Sequence, residues 1–184
     1  MRKLISSINI SLDGFMDHIG MIADEELHRN VNQMFAASDT LLFGRKTYQL
    51  MEDAWPDIVK NPTGNKPMDE FAVLIDNMQK VVFSRTLKSV GWKNARLATG
   101  GLEEEVTALK KLPGKNIMAG GASLLIELMN LDLIDEYHFC IHPIIFGSGQ
   151  PMFKNIRERV DLKLIKTSTF GSGAINVYYE RTKR

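Results

Sequence analysis

The sequence lacks the features that mark several large classes of protein. Its 184 residues contain one cysteine, Cys140, which excludes an internal disulfide and favours a reducing cytosol. The 23 basic and 22 acidic residues give a net charge of +1 without a basic block, so binding to nucleic acid or to an anionic membrane is not expected. No uncharged apolar run approaches the roughly 20 residues of a membrane helix. Polar residues between positions 6 and 13 also interrupt the apolar region that a signal peptide needs. We therefore expect a soluble, cytoplasmic protein.

Several common catalytic motifs are missing as well. Neither Gly-x-Gly-x-x-Gly nor the Walker lysine motif is present, so a Rossmann fingerprint and a P-loop are excluded. Ser148 and Ser172 lie between glycines but without the Gly-x-Ser-x-Gly spacing. His138 and His142 are four residues apart on a predicted strand, hence about 13 Å apart, which is too far to share a metal ion. We expect no metal site, and we expect Cys140 to be a core residue rather than a nucleophile.

Apolar patterns of strand type alternate with patterns of helix type through most of the chain. The predicted strands are 3–11, 40–43, 80–84, 95–98, 117–119 and 135–142, and the predicted helices follow Asp24, Gly44, Asp69, Gly101 and Gly121. Alternating runs at 161–170 and 174–181 flank Gly171-Ser-Gly173 and predict a hairpin. This order predicts one domain, 1–184, with a three-layer α/β fold, a mostly parallel central sheet and a C-terminal antiparallel hairpin.

The segment from Asp53 to Pro67 contains three prolines and a glycine. It is predicted to be a loop of unusual length, which leaves open whether it is a functional, mobile segment or a plain connection.

Three predicted strands end in residue types that bind phosphate. Two of these ends, Gly44-Arg45-Lys-Thr47 and Gly120-Gly121-Ala122-Ser123, each open a helix whose first N–H groups and dipole attract anions. The third, Ser84-Arg85-Thr86, offers hydroxyls and a guanidinium, which suit a phosphomonoester. Ligands of open α/β sheets bind at this edge. Each turn alone is more often structural than ligand-binding, but their recurrence at three strand ends favours a nucleotide with a pyrophosphate.

The stretch from Asn116 to Phe153 carries a more specific pattern. It contains Gly120-Gly121 after a strand, Asp135-Glu136 opening the next strand, then Pro143 and Gly147-Ser-Gly149. These residues resemble the dihydrofolate-reductase-like superfamily, especially the reductase domain of the bacterial riboflavin-biosynthesis deaminase–reductase. Ser11-Leu-Asp-Gly14 is similar to the first-strand signature of that branch. Gly44-Arg-x-Thr47 and Ser84-Arg85 resemble the NADPH phosphate sites of dihydrofolate reductases.

This resemblance covers nearly the whole chain and implies an activity. NADPH would donate a hydride to a C=N or C=O group of a small heterocyclic or sugar substrate, of which 5-amino-6-(5-phosphoribosylamino)uracil is the best single candidate. The resemblance also implies that a cis peptide joins Gly120 to Gly121. A dihydrofolate or pterin reductase, and a nucleotide-binding module without turnover, remain alternatives.

The candidate catalytic residues lie near the end of the first predicted strand and at the start of the first predicted helix. Asp13 belongs to the first-strand signature. Where folate-type enzymes hold a carboxylate, the region of the first helix offers Asp24, Glu25, Glu26 and His28, of which we select Asp24, Glu25 and His28. The relatives often pair, and the alternating apolar residues Ile175, Val177 and Tyr179 lead us to expect a homodimer built with the terminal hairpin.

Overall fold

The structure, a computed structural model, describes residues 1–17, 21 and 24–182. The strands in that part of the chain are β1 (Leu4–Ser11), β2 (Ser38–Gly44), β3 (Gln79–Phe83), β4 (Ala95–Leu97), β5 (Asn116–Gly120), β6 (Glu136–His142), β7 (Leu162–Thr169) and β8 (Ile175–Arg181). The helices are α1 (Glu25–Ala36), α2 (Arg45–Lys60), α3 (Lys66–Asn77), α4 (Leu102–Lys111) and α5 (Ala122–Asn130).

The strands form an eight-stranded sheet in the order β4-β3-β2-β5-β1-β6-β8-β7. All pairings among β1 to β6 are parallel, whereas β8 is antiparallel to both β6 and β7. The predicted α/β fold, with a mostly parallel sheet and a C-terminal antiparallel pair, is therefore confirmed.

Alternating side chains on the strands divide the core into two sides of the sheet. Leu42 of β2 packs in the core that holds the apolar residues of α4 and α5. Its neighbours Leu41 and Phe43 pack on the opposite side, with residues of α2 and α3. A smaller cluster joins Leu27 of α1 to Cys140 of β6. Helices on both faces complete the three layers, which is the arrangement that a parallel sheet requires.

The connections of the sheet change direction between β5 and β1, and we call the space beyond the carboxyl ends of these two strands the crevice. The chain leaves β5 through α5 and returns to the sheet at β6, whereas it leaves β1 through α1 and returns at β2 on the other side. Pairing of β1 with β5 extends to Ser6 and Ala119, and β1 continues to Ser11 after β5 has ended at Gly120. Ligands of open α/β sheets bind at the carboxyl ends of the strands at such a change of direction.

Helix α1 begins at this same carboxyl edge. Asp24 is its N-cap, as predicted, because Oδ1 accepts a hydrogen bond of 2.7 Å from the Leu27 N–H. Oδ2 of Asp24 accepts a second bond of 2.7 Å from the N–H of Ser172, in the turn before β8. The other end of α1 lies at the amino edge, where Asn116 N contacts the Ala37 carbonyl oxygen at 3.3 Å.

The prediction of a loop from Asp53 to Pro67 is wrong. Helix α2 continues through Pro56 to Lys60, and α3 begins at Lys66. An interior proline costs a helix about 3 kcal/mol or more because it removes one N–H donor and crowds the preceding turn. Packing against α3 offsets this cost, since the Trp55 ring meets Phe71 edge-on at 4.7 Å. Such contacts between helices cannot be read from local composition.

Asp135 and Glu136, which contribute to the family resemblance, lie at the amino edge of the sheet. Oδ2 of Asp135 accepts a hydrogen bond from the Leu4 N–H at 2.7 Å. Oε1 of Glu136 accepts one from the Lys3 ammonium at 2.6 Å. These contacts align the start of β1 with the start of β6, so this part of the motif stabilises the sheet rather than the carboxyl-edge crevice.

Candidate functional site

Two of the three predicted phosphate-binding turns meet at the carboxyl edge. Phe43 of β2 and Gly120 of β5 are register partners, so Gly44 and Gly121 follow side by side. The Thr47 side chain lies over Gly121: a β-carbon added there would lie 3.2 Å from Thr47 Cβ and overlap Thr47 Oγ1. The fold therefore joins two sequence motifs that are more than seventy residues apart into one surface.

The helix ends at this surface are open. Gly44 and Gly121 are the N-caps of α2 and α5, and neither helix has a side-chain cap. Their first N–H groups are thus available to an anion. A β-carbon built on Gly120 has no atom within 4 Å, which shows free space above it. Two adjacent sets of donors beside an open backbone fit a pyrophosphate group.

The side chains around these two turns differ in how far they are exposed to a ligand. Arg45 is exposed, and its Nη1 lies 3.2 Å from Gln49 Oε1 on the next turn of α2. Ser123, in the first turn of α5, is exposed, whereas Ala122 before it is half-buried. These positions leave Arg45 and Ser123 able to face a ligand, while Ala122 contributes its backbone.

The peptide bond between Gly120 and Gly121 is trans, so the cis bond implied by the resemblance is wrong for this chain; no described peptide bond is cis. Gly121 instead makes the turn with a positive φ of 94°, a conformation that glycine reaches without the steric cost of a β-carbon.

The third predicted turn lies on the neighbouring strand. Gly44 of β2 pairs with Phe83 of β3, which places Ser84 and Arg85 next to the first turn of α2. Oγ of Ser84 accepts hydrogen bonds from the N–H groups of Thr86, at 3.1 Å, and Leu87, at 2.9 Å. Ser84 therefore shapes the turn. Arg85 is exposed and has no hydrogen-bond or ion-pair partner among residues 1–17, 21 and 24–182, so its guanidinium is available to a phosphate.

The end of β4 holds a buried carboxylate that the sequence did not single out. Glu105 of α4 accepts hydrogen bonds from Arg96 Nη2 at 2.7 Å and from the Thr99 N–H at 2.8 Å. The hydrogen bond from Arg96 is the main reason why the pKa of Glu105 falls to about 2, against the opposing effect of burial. In the sequence, Glu105 is one of three consecutive glutamates that enrich the first turn of a predicted helix. In the folded protein Glu105 holds the loop that follows β4, beside the Arg85 turn.

Asp13, a predicted catalytic residue, connects two loops. Its Oδ1 accepts a hydrogen bond from the Ser11 hydroxyl at 2.6 Å and one from the Phe146 N–H at 3.2 Å, and its Oδ2 accepts one from the Gly147 N–H at 2.8 Å. These bonds, with that of Ser11 foremost, lower the pKa of Asp13 although partial desolvation opposes them. The contacts give Asp13 a positioning role for the loop after β6, and its catalytic role stays a prediction.

The three candidates on the first helix differ in their surroundings. Both carboxylate oxygens of Asp24 accept backbone N–H bonds, and the bond from Leu27 is the main cause of its lowered pKa. Glu25 is exposed and pairs with Arg29 at 3.3 Å. His28 is half-buried, with Nδ1 3.0 Å from the Asp24 carbonyl oxygen. That contact places the proton on Nδ1, and among the described residues no group bonds His28 Nε2.

Two residues that sequence analysis did not assign to the site meet beside the crevice. His142 is buried at the end of β6, and its Nε2 lies 3.2 Å from Oδ1 of Asn9 on β1 and 3.5 Å from Cys140 Sγ. Asn9 is only half-buried although β1 is a central strand. The sequence signal was a polar residue between Ile8 and Ile10 in the first strand, and its meaning became clear only once β1 proved to be central, because central strands of parallel sheets are normally apolar throughout.

Cys140 is a core residue, as predicted. It is buried with Leu27, Phe170 and Ala174, and burial raises the pKa of its thiol to about 12. Among the described residues, no three His, Cys, Asp or Glu side chains are grouped so that they could hold a metal ion. In the same part of the chain, no helix combines the length and the apolar composition that crossing a membrane requires.

Comparison with known proteins identifies the family. The model of the family described as RibD C-terminal domain matches residues 2–176. The chain belongs to this RibD C-terminal domain family. Among proteins of similar sequence is the uncharacterized protein YyaP of Bacillus subtilis (strain 168). The two are 34% identical, and the alignment covers 97% of this chain and 94% of YyaP.

Solved structures agree with the RibD C-terminal domain assignment at the level of the fold. The diaminohydroxyphosphoribosylaminopyrimidine deaminase/5-amino-6-(5-phosphoribosylamino)uracil reductase of Thermotoga maritima superposes with a TM-score of 0.67 at 19% identity, covering 98% of this chain and 57% of that one. Dihydrofolate reductase from Enterococcus faecalis, complexed with NADP(H), gives a TM-score of 0.64 at 16% identity and covers 98% and 97%. The resemblance to the dihydrofolate-reductase-like superfamily and its riboflavin branch is confirmed.

Proposed function

We propose that this protein is an NADPH-dependent reductase that transfers a hydride to a small heterocyclic or sugar substrate. The observation that carries the proposal is the junction of two uncapped helix N-termini at Gly44 and Gly121, with open space above Gly120. A free guanidinium, Arg85, follows on the next strand. Family membership and the NADP(H) complex of the Enterococcus faecalis enzyme support the choice of cofactor.

Each part of the cofactor has a matching group in the chain. The first N–H groups of α2 and α5, together with Arg45, Thr47 and Ser123, would hold the pyrophosphate. Arg85 would pair with the 2′-phosphate, which distinguishes NADPH from NADH. The open backbone at Gly120 would receive the nicotinamide, which supplies the hydride. The protein's own contribution is to orient the reacting groups and to keep water away from them.

For the substrate we propose the crevice between β5 and β1, with 5-amino-6-(5-phosphoribosylamino)uracil as the first candidate. Ser7 on β1 is half-buried, uncharged and polar, which suits a planar ring rich in carbonyl and amino groups. The Thermotoga maritima neighbour is a 5-amino-6-(5-phosphoribosylamino)uracil reductase, which supports this choice.

We propose that the proton for the reduced product would come from Nε2 of His28 rather than from an aspartate. This requires the imidazole to carry a second proton, because its Nδ1–H is engaged by the Asp24 carbonyl. The lowered pKa values of Asp13 and Asp24 keep both carboxylates ionised at neutral pH, so neither holds a proton to give. His28 lies in the first turn of α1 at the carboxyl edge, and its Nδ1 contact orients the ring.

A dihydrofolate or pterin reductase is less well supported by the side chains. Folate-type enzymes grip the pterin with a carboxylate on the first helix. Both oxygens of Asp24 are already engaged by backbone N–H groups, and Glu25 is exposed and paired with Arg29. A nucleotide-binding module without turnover would use the same cofactor-binding surface, but it would not bind a substrate in the crevice.

Two measurements on the purified protein test the proposal. Titration with NADPH and with NADH measures affinity, and we expect tighter binding of NADPH. Loss of NADPH absorbance is then followed with a panel of uracil, pterin and sugar substrates. Oxidation with 5-amino-6-(5-phosphoribosylamino)uracil supports the full proposal. Failure to bind NADPH would contradict it, whereas tight binding without oxidation across the panel would favour the non-catalytic module.

A further inference from the structure

Asn9 occupies a position where a parallel sheet normally has an apolar side chain. It lies on β1, the fifth strand of eight, and its neighbours Ile8 and Ile10 are buried in the core under α4 and α5. Asn9 itself points to the opposite face, where it is only half-buried. The helices on that face therefore do not fully cover this side chain.

His142 holds one end of the Asn9 amide. Its Nε2 lies 3.2 Å from Asn9 Oδ1, and the imidazole is buried, with 1% of its surface exposed. A side-chain amide has an acceptor at one end and two donors at the other. Because Oδ1 is engaged, the donor end, Nδ2, is directed away from His142. Nδ2 has no hydrogen-bond partner among residues 1–17, 21 and 24–182.

The register places this free donor beside the open glycine. Ser6 pairs with Ala119, so Ser7 is level with Gly120, and Asn9 is two residues farther along β1. Two residues of strand span about 7 Å, which is comparable to the width of a nicotinamide with its carboxamide. A ring that lies against Gly120 therefore has its substituent within reach of Asn9.

We propose that Asn9 is a specificity-determining residue that donates a hydrogen bond from Nδ2 to the carboxamide oxygen of the bound nicotinamide. His142 is the positioning residue that sets the direction of the amide. This inference rests on the proposed function, because it requires NADPH at the junction of β2, β5 and β1. A ring carbonyl of the substrate has the same acceptor chemistry, so the test must separate the cofactor from the substrate.

The experiment compares two ligands in the absence of substrate. NADPH carries the nicotinamide, whereas 2′-phospho-ADP-ribose has the same phosphates and adenosine without it. In Asn9→Ala we expect NADPH affinity to fall about three- to tenfold, the size of one neutral hydrogen bond. The affinity for 2′-phospho-ADP-ribose should stay unchanged. Unchanged NADPH affinity, or an equal loss for both ligands, overturns the assignment.

Two further variants control for folding and for residue type. Asn9→Asp keeps the shape of the side chain but has no donor, so it should lose NADPH affinity at least as strongly as Asn9→Ala while its unfolding midpoint stays near that of the wild type. Asn116→Ala removes a half-buried asparagine at the amino end of β5 and should leave both affinities unchanged. If Asn9→Asp binds NADPH normally, Asn9 is not the donor.

Failure of the proposed function is distinguishable from failure of this inference. A wild-type protein that binds neither ligand contradicts the cofactor site itself. A wild-type protein that binds both ligands, with an Asn9→Ala variant that does the same, contradicts only the role of Asn9. His142→Gln, compared by the same pair of titrations, should reproduce the selective loss of NADPH affinity if His142 acts through Asn9, and a loss for both ligands would show a general structural role.

Discussion

The side chain of Thr47 lies directly against the α-carbon of Gly121, which joins the first turn of α2 to the turn that opens α5. A β-carbon at Gly121 would overlap Thr47 Oγ1, and the φ of 94° disfavours any residue with a β-carbon. We therefore expect Gly121→Ala to lower the unfolding midpoint whether or not a ligand binds here. Loss of cofactor binding in that variant would not separate a binding role from a folding role.

Gly120 offers the cleaner test of the cofactor site. A β-carbon at this position meets nothing within 4 Å and its φ is not in the left-handed region, so Gly120→Ala should keep or slightly raise the unfolding midpoint. If NADPH lies against this backbone, the methyl group should weaken its binding about tenfold to a hundredfold. The measurements are NADPH titration and thermal unfolding without ligand.

Gly171→Ala is the matched control for Gly120→Ala. Gly171 is exposed in the turn between β7 and β8, and its β-carbon would make an ordinary contact of 3.7 Å with Asp24. That variant should bind NADPH normally. Normal binding by Gly120→Ala as well would remove Gly120-Gly121 from the cofactor site.

Arg85→Ala should change the choice between cofactors. A charge-assisted hydrogen bond contributes about 1.5–3 kcal/mol, so NADPH affinity should fall roughly tenfold to a hundredfold while NADH affinity hardly changes. Arg157→Ala, which removes an exposed arginine near the end of α5 at the opposite edge, should affect neither cofactor. Equal losses for NADPH and NADH in Arg85→Ala would show that Arg85 stabilises the turn instead.

Asp13→Asn distinguishes a positioning role from a catalytic one. The substitution replaces one of the two acceptor oxygens that face the Phe146 and Gly147 N–H groups and the Ser11 hydroxyl with a donor. We expect a lower unfolding midpoint and faster amide hydrogen exchange in the loop from Pro143 to Gly149. A variant with unchanged exchange and midpoint, but with no turnover, would instead identify Asp13 as catalytic.

Glu105 should make stability depend on acid pH. Its pKa is about 2 in the folded protein and near 4.5 when unfolded, so the unfolded chain binds more protons between these values. The stabilisation is therefore complete above pH 4.5 and is lost as the pH falls towards 2. In denaturant titrations, Glu105→Gln should be less stable than the wild type at neutral pH, and the difference should shrink on acidification. A difference that is constant with pH would contradict the ionised hydrogen bonds to Arg96 and Thr99.

The expected homodimer remains a prediction, and the structure changes the residues that should build it. Val177 and Tyr179 pack against the protein's own core and are only partly exposed, so less of their surface can contribute to an interface. The exposed apolar residues of the hairpin are Leu164, Ile165 and Ile175, with 51%, 46% and 40% of their surface exposed. We expect light scattering at micromolar concentration to give the mass of two chains, and Ile165→Lys to reduce it towards one. A monomer mass for the wild type would contradict the dimer.

Local patterns in the sequence determined the layers of the fold and the three strand ends that carry phosphate-binding residues. Strand alternation, helical periodicity and the residues that end each element all act within a few positions of the chain. For that reason β5, the Gly120-Gly121 turn and α5 could be placed from the residues between Asn116 and Asn130 alone. Pro56 shows the limit of local reasoning, because packing between Trp55 and Phe71 keeps α2 helical through it.

Only the tertiary structure decided which of these residues meet and which are already occupied. The order β3-β2-β5-β1 brings Arg85, Thr47 and Gly121 to one edge, and sequence order does not specify that arrangement. The carboxylate oxygens of Asp13 and Asp24 are engaged by N–H groups more than a hundred residues away. Asn9 meets His142 across 133 residues because β1 and β6 pair in parallel. Hydrogen bonds of this kind depend on strand order and register, which arise from burial of the whole core rather than from any local stretch.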